Sequence, residues 1–407
     1  MNRSLYLPQM DSLYAFAYQY LRVNGRSCRS DDIYSCGGEI KAILDDTRPH
    51  YRKILIPKPN KKEMRTVFEV TQDLRSLQHF IKRYILDRLD AMYTSPYAFA
   101  YRLGLSARDN ASAHAGHRYM LKLDIRHFFE STRAGQVYSM FRKYTPYNRQ
   151  ILGTLTRLVC YKGALCQGAC TSPQIANLIL SDFDMAIGTC CRDMCITYTR
   201  YCDDMTFSSV LPFDKSALER TVALMLQPYH YKLNTRKTRF LGPGHRLEVT
   251  GAVVNERVHA KREYRQKIRQ ELYYTNRYGV ADHLERTRPA WYHTPCSCAQ
   301  IRHFLYSLQG RINYVRMLDP DDPFLGDAQY QLFRLFLREQ SAFRNIYADV
   351  GPVSQRQGST SGFFPEEGPV GFDDLDTDLM EPPFNIPDMD PPELPFDVLG
   401  WDDPFSG

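Results

Sequence analysis

Asp203 and Asp204 stand side by side in "RYCDDMTFS" (200–208), between runs of strand-forming residues. Neighbouring side chains of an extended strand point to opposite faces, so adjacent carboxylates converge only where the chain turns between or beside them. A hairpin supplies that turn. The plain reading is a turn that uses Asp for its backbone chemistry. The chemical reading is a pair of hard oxygen ligands whose mutual repulsion calls for a cation, and such ligands indicate Mg²⁺ rather than zinc. A third carboxylate, Asp124 in "LKLDIRHFF", sits in a stretch that reads as a buried central strand, where polar residues are rare. It is either a satisfied buried Asp or the third member of a site for two Mg²⁺ ions. Three carboxylates around two ions activate a 3′ or 2′ hydroxyl and stabilise a leaving pyrophosphate, the phosphoryl-transfer scheme of polymerases.

Positioning these residues requires strands and helices that the sequence spells out in turn. Residues 5–50 read as helical, and "YRKILIPKPNKKEMRTVFEV" (51–70) as two strands around a basic turn punctuated by Pro57 and Pro59. In 71–92, apolar positions 74, 77, 80, 81, 85 and 89 fall at helical spacing. "YMLKLDIRHFF" (119–129) alternates as a strand. "TSPQIANLILSDFDMAIGTCCRDM" (171–194) reads as one helix, with Thr171 or Ser172 as N-cap and Pro173 in its first turn. "ITYTRYCDDMTFSSV" (196–210) is a β-hairpin, "LEVTGAVVN" (247–255) a further strand, and 255–279 a helix. Interleaved strands and helices with a hairpin predict an α+β fold on an antiparallel sheet. Along the 255–279 helix, Arg262, Arg265 and Arg269 recur on one side with Tyr264, Tyr273 and Tyr274 interleaved. That pattern suits a phosphate backbone with stackable bases, or a charged solvent face.

On these residues the chain resembles the reverse transcriptases. "YCDD" (201–204) is similar to their Tyr-x-Asp-Asp signature, and Asp124 followed by Phe129 is similar to their first metal-binding strand and the aromatic that excludes a ribose 2′-OH. "ILIPKPNKKEMRTV" resembles the fingers hairpin that grips the incoming triphosphate, which nominates Lys58 and Arg65. "LCQGACTSPQIANLIL" resembles the segment beneath the nucleotide, nominating Gln167 and Gly168, with Tyr201 beside them. "LNTRKTRF" resembles the Asn-x-x-Lys-Thr segment, in which Lys237 would assist pyrophosphate departure. Two further segments narrow the likeness to retron reverse transcriptases: "NASAH", with Asn110 and His114, and "VTG", with Thr250 and Gly251, both expected to serve RNA binding. The likeness runs over 50–318. Cys166 and Cys170 replace usual prolines, and Cys202 a usual Ala; none of these removes a ligand or base contact.

The resemblance implies a right-hand polymerase: an N-terminal helical segment (1–50), fingers and antiparallel-sheet palm (51–255), a helical RNA-binding thumb (256–350) and a tail (351–407). It also implies a cognate noncoding RNA as template and primer, dNTPs, nascent DNA, synthesis from a guanosine 2′-OH, branched RNA-linked DNA, and anti-phage defence with a separate effector. Rival readings are a reverse transcriptase of group II intron or abortive-infection type, and an RNA-binding regulator whose polymerase site has decayed.

Composition supports a nucleic-acid partner. The 407 residues carry a net charge of +6, but the last 57 hold 13 acidic residues against Arg356 alone, so the tail is −12. The other 51 basic and 33 acidic residues leave +18 on residues 1–350. Ten of 24 prolines fall in the tail, and repelling charge with missing donors predicts a disordered segment, a spacer or a partner-binding strip. No stretch of eighteen apolar residues and no leader-like N-terminus occur, so a soluble, cytoplasmic protein is expected. Eleven scattered cysteines fit reduced thiols. His293, Cys296, Cys298 and His303 match no standard zinc-finger spacing closely and are read as ordinary helix and loop residues.

Overall fold

The computed structural model describes residues 8–57, 64–287 and 296–340; Lys58, His293 and the acidic tail lie outside them. Two helices open the chain, α1 (Leu13–Val23) and α2 (Ser30–Asp45). Ser12 caps α1 by accepting from the Ala15 N–H, relieving one unpaired donor at the helix start. The predicted pair of strands follows as β1 (Tyr51–Pro57) and β2 (Met64–Val70), antiparallel from Tyr51 opposite Val70 to Pro57 opposite Met64. Next come α3 (Gln72–Ile81), a π-helical turn at Lys82–Leu86, and α4 (Asp87–Tyr93). All six apolar positions predicted to share a face in 71–92 are buried, and Phe80 packs edge-on against Phe16 of α1.

The palm follows. After α5 (Ala107–Ser112) the chain runs through β3 (Tyr119–Asp124), α6 (Phe128–Ser131), α7 (Ala134–Tyr144), α8 (Arg149–Val159), α9 (Ser172–Ile179) and α10 (Ser181–Asp193). Then come β4 (Thr197–Tyr201), β5 (Asp204–Ser209), α11 (Lys215–Leu226) and β6 (Arg239–Leu241). Strand order is β4-β5-β3-β6, with β3, β4, β5 and β6 paired antiparallel. The central strand β5 is buried at five of its six positions, which is why it lacks clean alternation. The predicted single helix at 171–194 breaks at Leu180 into α9 and α10; Thr171 takes the N-cap place without a side-chain capping bond, and Pro173 sits in the first turn.

Two expectations change. "LEVTGAVVN" is a hairpin rather than one strand: β7 (Glu248–Val249) and β8 (Ala252–Val253) flank Thr250 and Gly251, both at positive φ (47° and 88°), as a two-residue type I′ turn requires. Residues 255–261 are not helical, because β9 (His259–Ala260) pairs with β8 to complete a three-stranded sheet. Helix α12 (Arg262–Tyr278) begins only after it, followed by α13 (Val280–Thr287), α14 (Cys298–Leu318) and α15 (Phe324–Arg338).

The chain divides into two compact units. One comprises the residues up to 267 together with 313–323, so the N-terminal helices belong with fingers and palm; the other contains 268–312 and α15. The second unit has its own apolar core, including Ile268, Leu272, Leu305, Leu308 and Leu335, and an ion pair between Glu271 and Arg311.

Candidate active site

Strand register brings the carboxylates together. β3 and β5 pair so that Asp124 lies directly opposite Asp204, and β4 and β5 are joined by Cys202 and Asp203 alone. The Ile125 N–H donates to the Asp203 carbonyl at 2.9 Å, tying the hairpin tip to the end of β3. Cys202 takes φ +62°, a left-handed conformation rare for a residue with a Cβ and typical of strain stored at functional turns. Its thiol is no participant in ionic chemistry at neutral pH, since burial and the neighbouring Asp203 charge push it up to about 12.

Lysines hold two of the three acids. Lys237 Nζ donates to Asp124 Oδ2 at 2.6 Å, and Asn234 adds a side-chain bond to Asp124 Oδ1 at 3.1 Å and a backbone bond to its carbonyl at 2.8 Å. Lys122, two residues before Asp124 on the same strand face, lies 3.0 Å from Asp204 Oδ2. Burial raises the carboxyl pKa of Asp203, and the Asp124 charge adds to that; burial likewise raises Asp204, against the opposing pull of Lys122. Burial lowers the Lys237 ammonium, but its bond to Asp124 and the surrounding carboxylates outweigh this and leave it raised. Neither Lys122 nor Asn234 was among the residues nominated from sequence; the strand period points to the first and the Asn-x-x-Lys-Thr segment contains the second.

The three acids open onto a cleft of about 1270 Å³ that also collects Arg65, Phe129, Gln167, Gly168, Tyr201, Lys237 and Thr250. The adjacent Phe128 and Phe129 both line the cleft; Phe128 is buried against Tyr231 at 5.5 Å between ring centroids, while Phe129 is half-buried. His127, immediately before α6, takes a left-handed conformation (φ 50°). Gly168 is required by close approach: at φ +109°, a Cβ there would sit 2.1 Å from the Phe68 carbonyl oxygen. The Phe68 N–H donates to the Gln167 carbonyl at 2.7 Å, so a backbone bond clamps β2 to this loop.

The residues assigned to RNA divide differently from expectation. Asn110 and His114 are corrected: both are buried, with His114 fully enclosed and its ring nitrogens 2.6 Å from Ser208 Oγ and 2.7 Å from Thr199 Oγ1. His114 therefore braces β4 and β5 from inside rather than touching RNA. Thr250 faces the cleft while its hydroxyl donates to the Ala107 carbonyl at 2.9 Å, and Gly251 lies against the Tyr314 hydroxyl. Arg262 is exposed. Arg265 is partly buried and pairs through Nη1 with buried Asp322 at 2.7 Å. Arg269 is exposed and stacks over the Phe324 ring at 5.1 Å. Of the cysteine and histidine group, Cys298 and His303 fall on α14 and Cys296 just before it.

The donor set suits a hard divalent cation, three carboxylates lining one cleft, with Asp203 kept from easy ionisation by burial and then by the Asp124 charge. It is not a closed cage. Among the described residues, no three His, Cys, Asp or Glu side chains are grouped tightly enough to enclose one ion, and Lys237 and Lys122 are paired with Asp124 and Asp204.

The family model described as "Reverse transcriptase (RNA-dependent DNA polymerase)" matches residues 56–263, a span that contains all three acids and Lys237. The chain belongs to the reverse transcriptase family. Within that family it is of retron type. It is 35% identical to the Retron Ec86 reverse transcriptase of Escherichia coli over 216 residues, 53% of this chain and 66% of the relative. Identity to the Retron Mx65 reverse transcriptase of Myxococcus xanthus is 29% over 293 residues, 67% of this chain and 62% of the relative. With the Retron Se72 reverse transcriptase of Salmonella heidelberg it is 27% over 262 residues, 61% and 67%. The matched stretches thus span about two thirds of these relatives or slightly less. The right-hand polymerase fold expected from sequence follows from family membership, and the fingers hairpin and palm sheet described above are its parts.

Proposed function

We propose that this retron-type chain copies a cognate structured noncoding RNA into DNA. Asp124, Asp203 and Asp204 would hold two Mg²⁺ ions, which when bound activate the attacking hydroxyl and stabilise the departing pyrophosphate. Phe129 would lie under the sugar and exclude a 2′-OH. Gln167 and Gly168 would form the floor beneath the nucleotide, with Tyr201 beside it, while Arg65 and Lys58 would meet the triphosphate. Lys237, cationic at neutral pH, is within reach of both the acids and the cleft, and would supply charge or a proton to the leaving group. In this reading synthesis starts from an RNA 2′-OH and yields branched RNA-linked DNA that serves anti-phage defence in the bacterial cytoplasm, with a separate effector. Among the described residues, no helix is long and apolar enough to cross a membrane.

The observation that carries the proposal is the register that sets Asp124 opposite Asp204 with Asp203 in the connecting turn. The test is Mg²⁺-dependent incorporation of labelled dNTPs by the purified chain on the structured RNA encoded beside its gene. Template-dependent DNA that disappears on chelation of Mg²⁺ is the expected result. RNA binding without incorporation at any Mg²⁺ concentration would leave only an RNA-binding protein.

A further inference from the structure

Arg200 is fully buried on β4, two residues before the hairpin turn, and no part of its side chain reaches the cleft. Its guanidinium grips Asp184 of α10 with two nitrogens, Nε to Oδ1 at 2.8 Å and Nη2 to Oδ2 at 2.6 Å. The remaining nitrogen, Nη1, donates to Asn177 Oδ1 of α9 at 3.0 Å and to the Cys202 carbonyl at 2.9 Å. Asp184 also accepts from the Tyr198 hydroxyl at 2.8 Å, and Asn177 donates to the Ala100 carbonyl at 2.8 Å, so both anchors are themselves fixed. Backbone bonds from Arg200 N to the Tyr97 carbonyl and from Phe99 N to the Arg200 carbonyl complete the set.

A buried ion pair is a weak device for stability, because desolvation consumes most of the attraction and apolar residues of similar size often do as well. What an apolar replacement cannot do is donate to the Cys202 carbonyl. That carbonyl belongs to the planar peptide group whose other end is the Asp203 nitrogen, and Cys202 is the residue at φ +62°. Fixing the carbonyl fixes the plane from which Asp203 departs.

We infer that Arg200 is the positioning residue of the Asp203–Asp204 turn, holding the Cys202 carbonyl from the interior through Asp184 and Asn177. The inference rests on the polymerase reading above. It adds a support that touches neither substrate nor metal and links α9, α10 and the turn.

The test compares Arg200→Lys, Arg200→Met and the triple variant Arg200→Met/Asp184→Leu/Tyr198→Phe in the full chain. The readouts are thermal midpoint and the Mg²⁺ concentration giving half-maximal dNTP incorporation, a quantity that a smaller folded fraction does not move. Arg200→Lys keeps the charge beside Asp184 but loses the fork that reaches Asn177 and Cys202. It is expected to raise the half-saturating Mg²⁺ by about tenfold, as loss of a supporting group around metal ligands does. The triple variant is expected to melt above Arg200→Met alone while keeping the raised Mg²⁺ requirement. Half-saturation unchanged in Arg200→Lys, or restored along with stability in the triple variant, would overturn the inference and reduce Arg200 to core structure. Wild-type enzyme inactive at every Mg²⁺ concentration would instead overturn the polymerase reading, and this inference with it.

Discussion

Lys237 and Lys122 each take one acid of the site, while burial and then the charge of Asp124 raise the Asp203 carboxyl pKa. A carboxyl whose pKa is raised in the folded chain favours folding while protonated and opposes it once pH rises through the raised value. Asp203 therefore costs stability at neutral pH. Asp203→Asn should abolish incorporation, by about three orders of magnitude, while raising the thermal midpoint in EDTA by about 2 °C. A lowered midpoint would show that Asp203 supports the fold instead. Phe129→Ala should narrow the preference for dNTPs over rNTPs by about tenfold or more in single-nucleotide incorporation; an unchanged ratio would remove Phe129 as the sugar gate. The acids were legible in sequence because their chemistry is local and their order along the chain matches a family. The role of His114 was not, since its partners Thr199 and Ser208 lie 85 and 94 residues away and only the folded sheet brings them near.

Elements were legible where one periodicity governed them: β1, β2 and the buried face of α3 and α4 appear as read. Tertiary pairing overrode the local pattern at 255–261, where β9 completes a sheet inside an otherwise helical-looking stretch, and at Thr250–Gly251, where a turn cuts a strand-like run. Two contacts between elements give predictions. Gly168→Ala would push a Cβ into the Phe68 carbonyl and demand a left-handed φ of a residue that resists it, so β2 must move off the Gln167 loop. The expected result is a KM for dNTP raised about tenfold, with the thermal midpoint lowered by a few degrees; kinetics indistinguishable from wild type would unseat the clamp. His114 sets a pH dependence. Burial, with His117 and Lys122 nearby, lowers its pKa to about 3, so the unfolded chain binds a proton there that the folded chain refuses. Stability from this group is complete above the ordinary histidine range and is lost as pH falls toward 3, about 2 kcal/mol of it between pH 7.5 and 5. In denaturant melts at both values His114→Gln should flatten that loss; an identical slope would contradict the account.

At the scale of the whole molecule, charge is the feature composition shows best: +18 on residues 1–350 and −12 on 351–407. Deleting 351–407 should tighten binding of the cognate RNA by about tenfold at low salt, with the difference vanishing near 0.5 M as screening removes competition. Unchanged RNA affinity and unchanged partner binding after deletion would leave the tail a spacer. The division into units was less legible. The boundary falls inside α12 at 267–268 instead of at 255–256, because residues 255–267 and 313–323 are claimed by the first unit through contacts such as Arg257–Asp319 and Arg265–Asp322, which link positions more than fifty apart. The central claim, RNA-primed DNA synthesis through the Asp203–Asp204 pair, is tested most directly on the nucleic acid that copurifies from the native locus. Wild type is compared with Asp203→Ala/Asp204→Ala after separate RNase and DNase treatment. The account predicts DNA from wild type alone, shortened by RNase because RNA is joined to it. RNA alone from both proteins, or DNA that RNase leaves unchanged, would contradict it.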